Sequence, residues 1–168
     1  MFIRLFIILT LLLTSACNES DNESGKLQLP SPFSIITDVQ GQTTAGLKGI
    51  DSDNNGIRDD IDQLIKQKFS DTQAIKQAAE QEARALQKFM EVTTKEEALT
   101  AAEQIARATS CTFKVLSDPI HDYEIRQALS IEIEAWTTNT EERLLKYLES
   151  SKLISGAYFM QPVEPICD

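Results

Sequence analysis

Residues 70–90, SDTQAIKQAAEQEARALQKFM, carry an apolar side chain at almost every third or fourth position. This spacing matches the 3.6-residue period of an α-helix and collects the apolar side chains on one face. The residues of that face are Ile75, Ala78, Ala79, Ala83, Leu86, Phe89 and Met90. Ser70, followed by Gln73, has the spacing of a capping box at a helix start. The stretch predicts a long amphipathic helix that packs against other helices.

Comparable patterns lie on both sides of this stretch. Residues 59–69 repeat the helical spacing, and Thr94 with Glu97 forms a second capping-box pattern that opens a third helix. The apolar residues of that third helix are expected to be Leu99, Ala102, Ile105, Ala106 and Phe113. Pro119 suits the first turn of a fourth helix, with Ser117 or Asp118 as its cap.

The last helix is expected over residues 140–153, with Leu144, Leu145 and Leu148 as its apolar positions and Gly156 after its end. Residues 129–135, LSIEIEA, alternate apolar and polar side chains as a half-buried strand does, but strong helix formers surround them and no partner strand is evident. We therefore expect an all-α protein. Its helical domain, residues 33–168, would be a small antiparallel bundle of four to five helices.

The chain of 168 residues is acidic, with a formal net charge of −10. Phosphate backbones are bound by Lys and Arg, so this charge argues against a nucleic-acid partner. It also argues against adsorption to anionic lipid headgroups by charge alone. Any membrane contact must therefore have another origin.

The amino terminus offers another origin for membrane contact. In residues 1–17, MFIRLFIILTLLLTSAC, a single basic residue precedes an apolar run that ends in small residues, which is the layout of a signal peptide. A transmembrane anchor is the alternative, but the run is shorter than the roughly 20 residues that cross a bilayer. Secretion of the protein without any membrane anchor is a second alternative.

The ending Leu13-Thr14-Ser15-Ala16-Cys17 resembles the lipobox of bacterial lipoproteins, although Thr14 stands where that family most often has Leu. The resemblance implies that the signal peptide is residues 1–16, that Cys17 receives a diacylglyceryl group, and that the chain is held at a membrane of the cell envelope. Asn18, rather than Asp, implies the outer membrane, facing the periplasm. The polar residues that follow, up to Pro32, are expected to form a disordered tether within residues 17–32.

Two cysteines remain after lipidation of Cys17. Cys111 and Cys167 would form a disulfide in such an oxidising compartment, with two unrelated buried thiols as the alternative. Cys167 stands next to the last residue, in a Pro-rich tail that has little else to hold it down.

An acidic segment, residues 51–62 (DSDNNGIRDDID), has oxygen-bearing side chains at its positions 1, 3, 5, 9 and 12 and glycine at position 6. A hard cation such as Ca²⁺ takes six to eight oxygens at about 2.3–2.6 Å, and a short loop supplies them only by curling around the ion. The segment resembles the repeat unit of thrombospondin type 3 domains and, more loosely, EF-hand and dockerin loops. The resemblance implies side-chain ligands at Asp51, Asp53, Asn55, Asp59 and Asp62, and a backbone carbonyl ligand at Ile57.

The segment departs from EF-hands at Arg58, where they have an apolar residue, and at Asp62, where they have Glu. Such loops also normally occur in sets, and this chain has one. The alternative interpretation is an acidic turn beside a helix amino terminus. If the loop binds Ca²⁺, a permanent structural role is expected rather than a switch.

Catalytic signatures are not evident in the sequence. His121 is the one histidine, no G-x-S-x-G motif accompanies it, and its place beside a helix start is typical of a surface residue. Trp136, Tyr123 and Phe113 are expected in the core. Two functions therefore remain open: a non-catalytic structural or adaptor lipoprotein that binds an envelope protein, and an envelope enzyme or enzyme inhibitor whose site is built from scattered carboxylates.

Overall fold

The computed structural model describes residues 46–168, which contain five α-helices and no strand. They are α1 (Asp59–Lys68), α2 (Gln73–Met90), α3 (Lys95–Val115), α4 (Tyr123–Thr137) and α5 (Glu141–Leu153). The prediction of an all-α bundle is confirmed. The expected signal peptide, lipidation site and tether, together with residues 33–45 of the expected domain, lie outside the described residues.

Helix α2 lies at the centre and packs against each of the other four helices. Its predicted apolar face is buried along its whole length, from Ile75 to Met90. Side chains from α1 and α4 complete the main core, among them Ile61, Ile65, Leu129 and Ile133. A second cluster joins the end of α2, where Phe89 lies, to the start of α3 and to α5. The alternating segment 129–135 is helical, as expected.

The helix starts confirm one capping prediction and correct two others. The Thr94 hydroxyl accepts a hydrogen bond from the Glu97 backbone N–H, and the Glu97 carboxylate accepts one from the Thr94 backbone N–H, so this capping box is formed. The prediction for Ser70 is wrong, because Thr72 caps α2 by accepting from the Ile75 N–H while the Ser70 hydroxyl donates to the Lys66 carbonyl.

The expected start of the fourth helix is also wrong. The Asp118 carboxylate accepts hydrogen bonds from the backbone N–H groups of Ile120 and His121, which closes a separate turn around Pro119. Helix α4 begins only after this turn, at Tyr123.

Several apolar side chains that were expected in the core lie at the surface. Leu144, Leu145 and Leu148 of α5 are each about half exposed, and so are Phe113 and Tyr123. The buried positions of α5 are instead Arg143 and Ser150, with Tyr147 meeting the Phe89 ring edge to face at 5.6 Å. Helix α5 therefore packs through a mixed face that the leucine pattern did not indicate.

The carboxyl-terminal tail returns along α3 and is fastened at its end. Cys111 and Cys167 form the predicted disulfide, with their Cα atoms 5.0 Å apart. The Gln81 side chain donates to the Ile166 carbonyl at 2.9 Å, and Arg107 donates to the Pro165 carbonyl at 2.8 Å. The bridge thus fixes the last residues against α2 and α3.

Candidate cation-binding loop

The acidic loop, residues 51–62, precedes α1 and contributes its first residues. The Asp59 backbone N–H donates to the Ile50 carbonyl at 2.9 Å, which closes the loop at its base. Ile57 is 1% exposed and joins the main core, so the loop is anchored to the bundle from within. Gly56 has φ +83°, a left-handed conformation that glycine adopts without steric cost. The glycine at position 6 of the loop thus takes a conformation that suits a tight turn.

Three of the carboxylates predicted as ligands lie around a fourth predicted ligand, Asn55. The Asp51 carboxylate accepts from the backbone N–H groups of Asn55 at 3.1 Å and Gly56 at 3.0 Å. The Asn55 side-chain amide donates to Asp53 at 3.2 Å and to Asp62 at 3.0 Å. The segment is therefore curled: Asp53 and Asp62 meet the Asn55 side-chain amide, and Asp51 meets the Asn55 backbone N–H.

Asp59, the fifth side chain predicted as a ligand, bonds elsewhere in the loop. Both carboxylate oxygens of Asp59 accept from Ser52, one from its backbone N–H at 2.9 Å and one from its hydroxyl at 2.6 Å. These bonds from the hydroxyl and from the backbone lower the pKa of Asp59. Ile57 donates its N–H to the Asn55 amide oxygen at 2.7 Å. Asp59 is thus part of the loop's framework, one step removed from the cluster around Asn55.

Negative charge accumulates at Asp62. Partial burial raises the pKa of Asp62, the hydrogen bond from Asn55 lowers it, and the charges of Asp53, Glu80 and Asp51 raise it further. Glu80 belongs to α2 and was not among the predicted ligands, because nothing in its sequence spacing relates it to the loop. Arg84, one turn later, would lie 3.6 Å from a Cβ atom placed on Gly56. Helix α2 therefore runs directly beside the loop.

Arg58, at position 8 of the loop, points into the protein and explains the departure from EF-hand sequences. Its guanidinium is 1% exposed and binds both carboxylate oxygens of Asp60, at 3.0 and 2.8 Å. It also donates to the carbonyls of Trp136 and Thr137 at the end of α4, at 2.8 and 3.1 Å. The loop is therefore fixed to the corner between α4 and α5, and Asp60 is turned away from the cluster around Asn55.

A second buried arginine completes this corner. Arg143 donates to the carbonyls of Gly46 and Leu47, at 2.9 and 3.2 Å, and so holds the segment that leads into the loop. Burial, together with the neighbouring charge of Arg58, lowers the pKa of Arg143 to about 10. A Cβ atom on Gly49 would lie 2.3 Å from the Arg58 side chain, and Gly49 has φ +67°. Glycine suits this position because a side chain there would meet the Arg58 methylene groups and Arg143 Nη2, and because the backbone is left-handed.

The donor set suits a hard cation in its chemistry, since it consists of carboxylate and amide oxygens, the ligands that such ions prefer. Within residues 46–168, however, no group of three or more His, Cys, Asp or Glu side chains has the arrangement of a formed metal site. The carboxylates instead accept the loop's own N–H groups. His121, the other residue considered for chemistry, is exposed and contacts Asp118 at 2.9 Å.

Comparisons of the chain with models of protein families, with curated proteins and with solved structures give no match. In the part of the chain that the structure describes, none of the helices combines the length and the apolar character that a membrane span requires.

Proposed function

We propose that this protein is a lipid-anchored lipoprotein of the bacterial cell envelope, and that its acidic loop binds Ca²⁺ as a structural ion. The observation that carries the proposal is the convergence of Asp51, Asp53 and Asp62 on Asn55. A divalent cation would relieve the repulsion between these carboxylates, which solvent does only in part at the half-buried Asp62.

Two features support the proposed location in the cell envelope: the lipobox-like ending at Cys17 and the disulfide between Cys111 and Cys167. Disulfides persist in oxidising compartments such as the periplasm, and the bond between Cys111 and Cys167 supports that location. Cys17 would then carry the lipid, and Asn18 favours the outer membrane over the inner one.

A structural role for the ion fits the surroundings of the loop. Asp51, Asp53, Asn55 and Asp62 would supply side-chain oxygens, with the Asn55 amide turned so that its oxygen faces the ion, and Ile57 would supply its carbonyl. Asp59 would contribute after release of Ser52, or through a bridging water. Because Ile57 and Arg58 anchor the loop to the core, binding would hold the start of α1 in place without a large rearrangement.

The domain itself is proposed to act without catalysis, by presenting its acidic helical surface to another envelope protein. Large positive clusters that would bind nucleic acid do not fit the net charge of −10. Cross-linking of intact envelopes, followed by purification of the lipoprotein with whatever is bound to it, would identify that protein partner.

Two measurements test the proposal separately. Mass spectrometry of the purified protein should find a diacylglyceryl group on an amino-terminal Cys17, and Cys17→Ser should move the protein to the soluble fraction. Calorimetric titration with Ca²⁺ should show binding that is lost in the Asp51→Asn, Asp53→Asn double variant. Asp71→Asn, at an exposed acid between α1 and α2, serves as the matched control and should bind as the wild type does. An uncleaved amino terminus would refute lipidation at Cys17. A titration without a binding signal would refute Ca²⁺ binding by the loop.

A further inference from the structure

The tail between α5 and the disulfide contains an uncharged segment, residues 157–163 (AYFMQPV), which we call the arch. Three of its large side chains face solvent, with Tyr158 99% exposed, Met160 92% and Val163 83%, whereas Phe159 is 41% exposed. Among the described residues, none forms a hydrogen bond with positions 158–163. Large apolar side chains displayed in this way mark a surface that contacts something other than water.

The arch is held at both ends but not in its middle. Ala157 donates its N–H to the Ile154 carbonyl at 3.0 Å, and Cys167 is bonded to Cys111. Between these points, a groove of about 700 Å³ separates the arch from the side chains of Glu103, Ala106 and Arg107 on α3. The arch therefore does not pack down onto the bundle, and its exposed side chains are not required by the core.

The charges around the arch balance, in contrast to the rest of the chain. Glu103 and Arg107 line the groove, and Glu164 is paired with Lys114 at 2.8 Å. The rim thus carries two acids and two bases, although the whole protein has a net charge of −10. A neutral apolar tip with a balanced rim suits the zwitterionic headgroup region of a bilayer, where Tyr, Phe and Met side chains partition favourably.

We propose that the arch inserts its side chains into the interfacial region of the membrane to which the protein is anchored. This proposal rests on the proposed lipid anchor, which would keep the domain within reach of the bilayer. Its unpaired backbone groups limit the arch to the interface, because unpaired N–H and C=O groups are excluded from the hydrocarbon core. The leucines of α5 are poorer candidates, since they are only about half exposed and charged residues, such as Lys146 and Glu149, lie among them.

The test places a reporter in the arch of the full-length, processed protein. Trp136 is the one tryptophan of the chain, so Trp136→Phe combined with Met160→Trp leaves the arch as the only source of tryptophan fluorescence. In phosphatidylcholine vesicles, lipids brominated near the headgroup should quench this emission severalfold and shift it to the blue. Trp136→Phe with Leu144→Trp is the matched control and should remain unquenched.

The outcomes separate the arch from the anchor. Protein that sediments with vesicles through lipidated Cys17 but shows no quenching at the arch would overturn this inference and leave the anchor intact. The same reporter in a Cys17→Ser background, at saturating vesicle concentration, should still be quenched, and adding Tyr158→Asp should weaken its partition roughly tenfold. Quenching in that background would show that the arch enters the interface independently of the lipid, whereas the anchor itself is refuted only by a wild-type Cys17 that carries no diacylglyceryl group. A blue shift that depends on protein concentration and not on lipid would indicate a second copy as the partner, against the inference.

Discussion

Arg58 and Arg143 share a single acceptor in the interior, the side-chain oxygen of Asn139, which lies 2.7 Å from Arg143 Nη1 and 3.4 Å from Arg58 Nη2. Both guanidinium groups are almost completely buried, and Asp60 is the carboxylate bonded to Arg58. Backbone carbonyls from the end of α4 and from residues 46 and 47 accept most of the remaining N–H groups. Two like charges thus hold the acidic loop, the segment before it and the α4–α5 corner together.

Removal of the buried counterion should destabilise the domain strongly. In Asp60→Ala, Arg58 and Arg143 would remain buried without a carboxylate, and loss of one partner of a buried ion pair costs about 3–5 kcal/mol. Urea unfolding followed by circular dichroism measures this difference. Glu149→Ala breaks the exposed pair with Lys146 and should leave the unfolding free energy nearly unchanged. Equal effects of the two variants would contradict the role of the buried cluster.

The corrected cap of α2 leads to a paired prediction. Thr72→Ala removes the oxygen that accepts from the Ile75 N–H and should lower the unfolding free energy by about 1 kcal/mol. Ser70→Ala should have a smaller effect, since the Ser70 hydroxyl only adds a bond to the Lys66 carbonyl. Thermal unfolding of the two variants side by side distinguishes them, and the reverse order would restore Ser70 as the cap.

Glu82 should make the stability depend on pH in the direction opposite to an ion-paired acid. It is 5% exposed, burial raises its pKa above 4.5, and the hydrogen bonds from Ser130 and Thr112 only partly oppose this. A raised folded-state pKa means that the folded protein binds more protons than the unfolded chain, so this contribution to stability is lost as pH rises from about 4.5 through the folded pKa.

Glu82→Gln removes that titration while it keeps an amide oxygen to accept from Thr112. The variant should be more stable than the wild type at neutral pH and should lose this advantage near pH 4. Denaturation midpoints measured across this range provide the comparison. A constant difference at every pH would show that Glu82 does not titrate in this way.

The disulfide should stabilise the folded domain by lowering the conformational entropy of the unfolded chain. It joins positions separated by 56 residues, for which the loss of chain entropy corresponds to about 4 kcal/mol. The Cys111→Ala, Cys167→Ala variant should therefore unfold at lower denaturant concentration than the oxidised protein. It should also lose its sensitivity to dithiothreitol, and a persistent effect of the reductant on the variant would contradict the assignment.

The two ends of the bundle show how far periodicity can predict this fold. Helix α2 follows its sequence pattern because it is surrounded by the other helices, so each apolar position on one face meets the core. Helix α5 does not follow its pattern, because its packing centres on Arg143. The carbonyl partners of Arg143 lie 96 and 97 positions earlier in the chain, and no local pattern reports a contact of that separation.

The acidic loop also has features that its sequence pattern predicts and features that it does not. The loop pattern grouped Asp51, Asp53, Asn55, Asp59 and Asp62. The structure brings all of these except Asp59 together, since residues so close in sequence have few ways to curl around a glycine turn. The binding of Asp59 by Ser52 is a choice between neighbouring hydrogen-bond donors that spacing does not determine. The approach of Glu80 depends on how α2 packs beside the loop, and the inward direction of Arg58 depends on the end of α4. These are tertiary contacts.

The most direct measurement of the central claim is the melting temperature of the protein in chelator and in millimolar Ca²⁺. At free Ca²⁺ of 100 times the dissociation constant, binding to the folded state would add about 2.7 kcal/mol, which raises the melting temperature by several degrees. Asp51→Ala with Asp53→Ala should abolish the rise, and Asp71→Ala, at an exposed acid outside the loop, should retain it. Coincident wild-type melting curves in chelator and in Ca²⁺ would show that residues 51–62 are an acidic turn and would contradict the account.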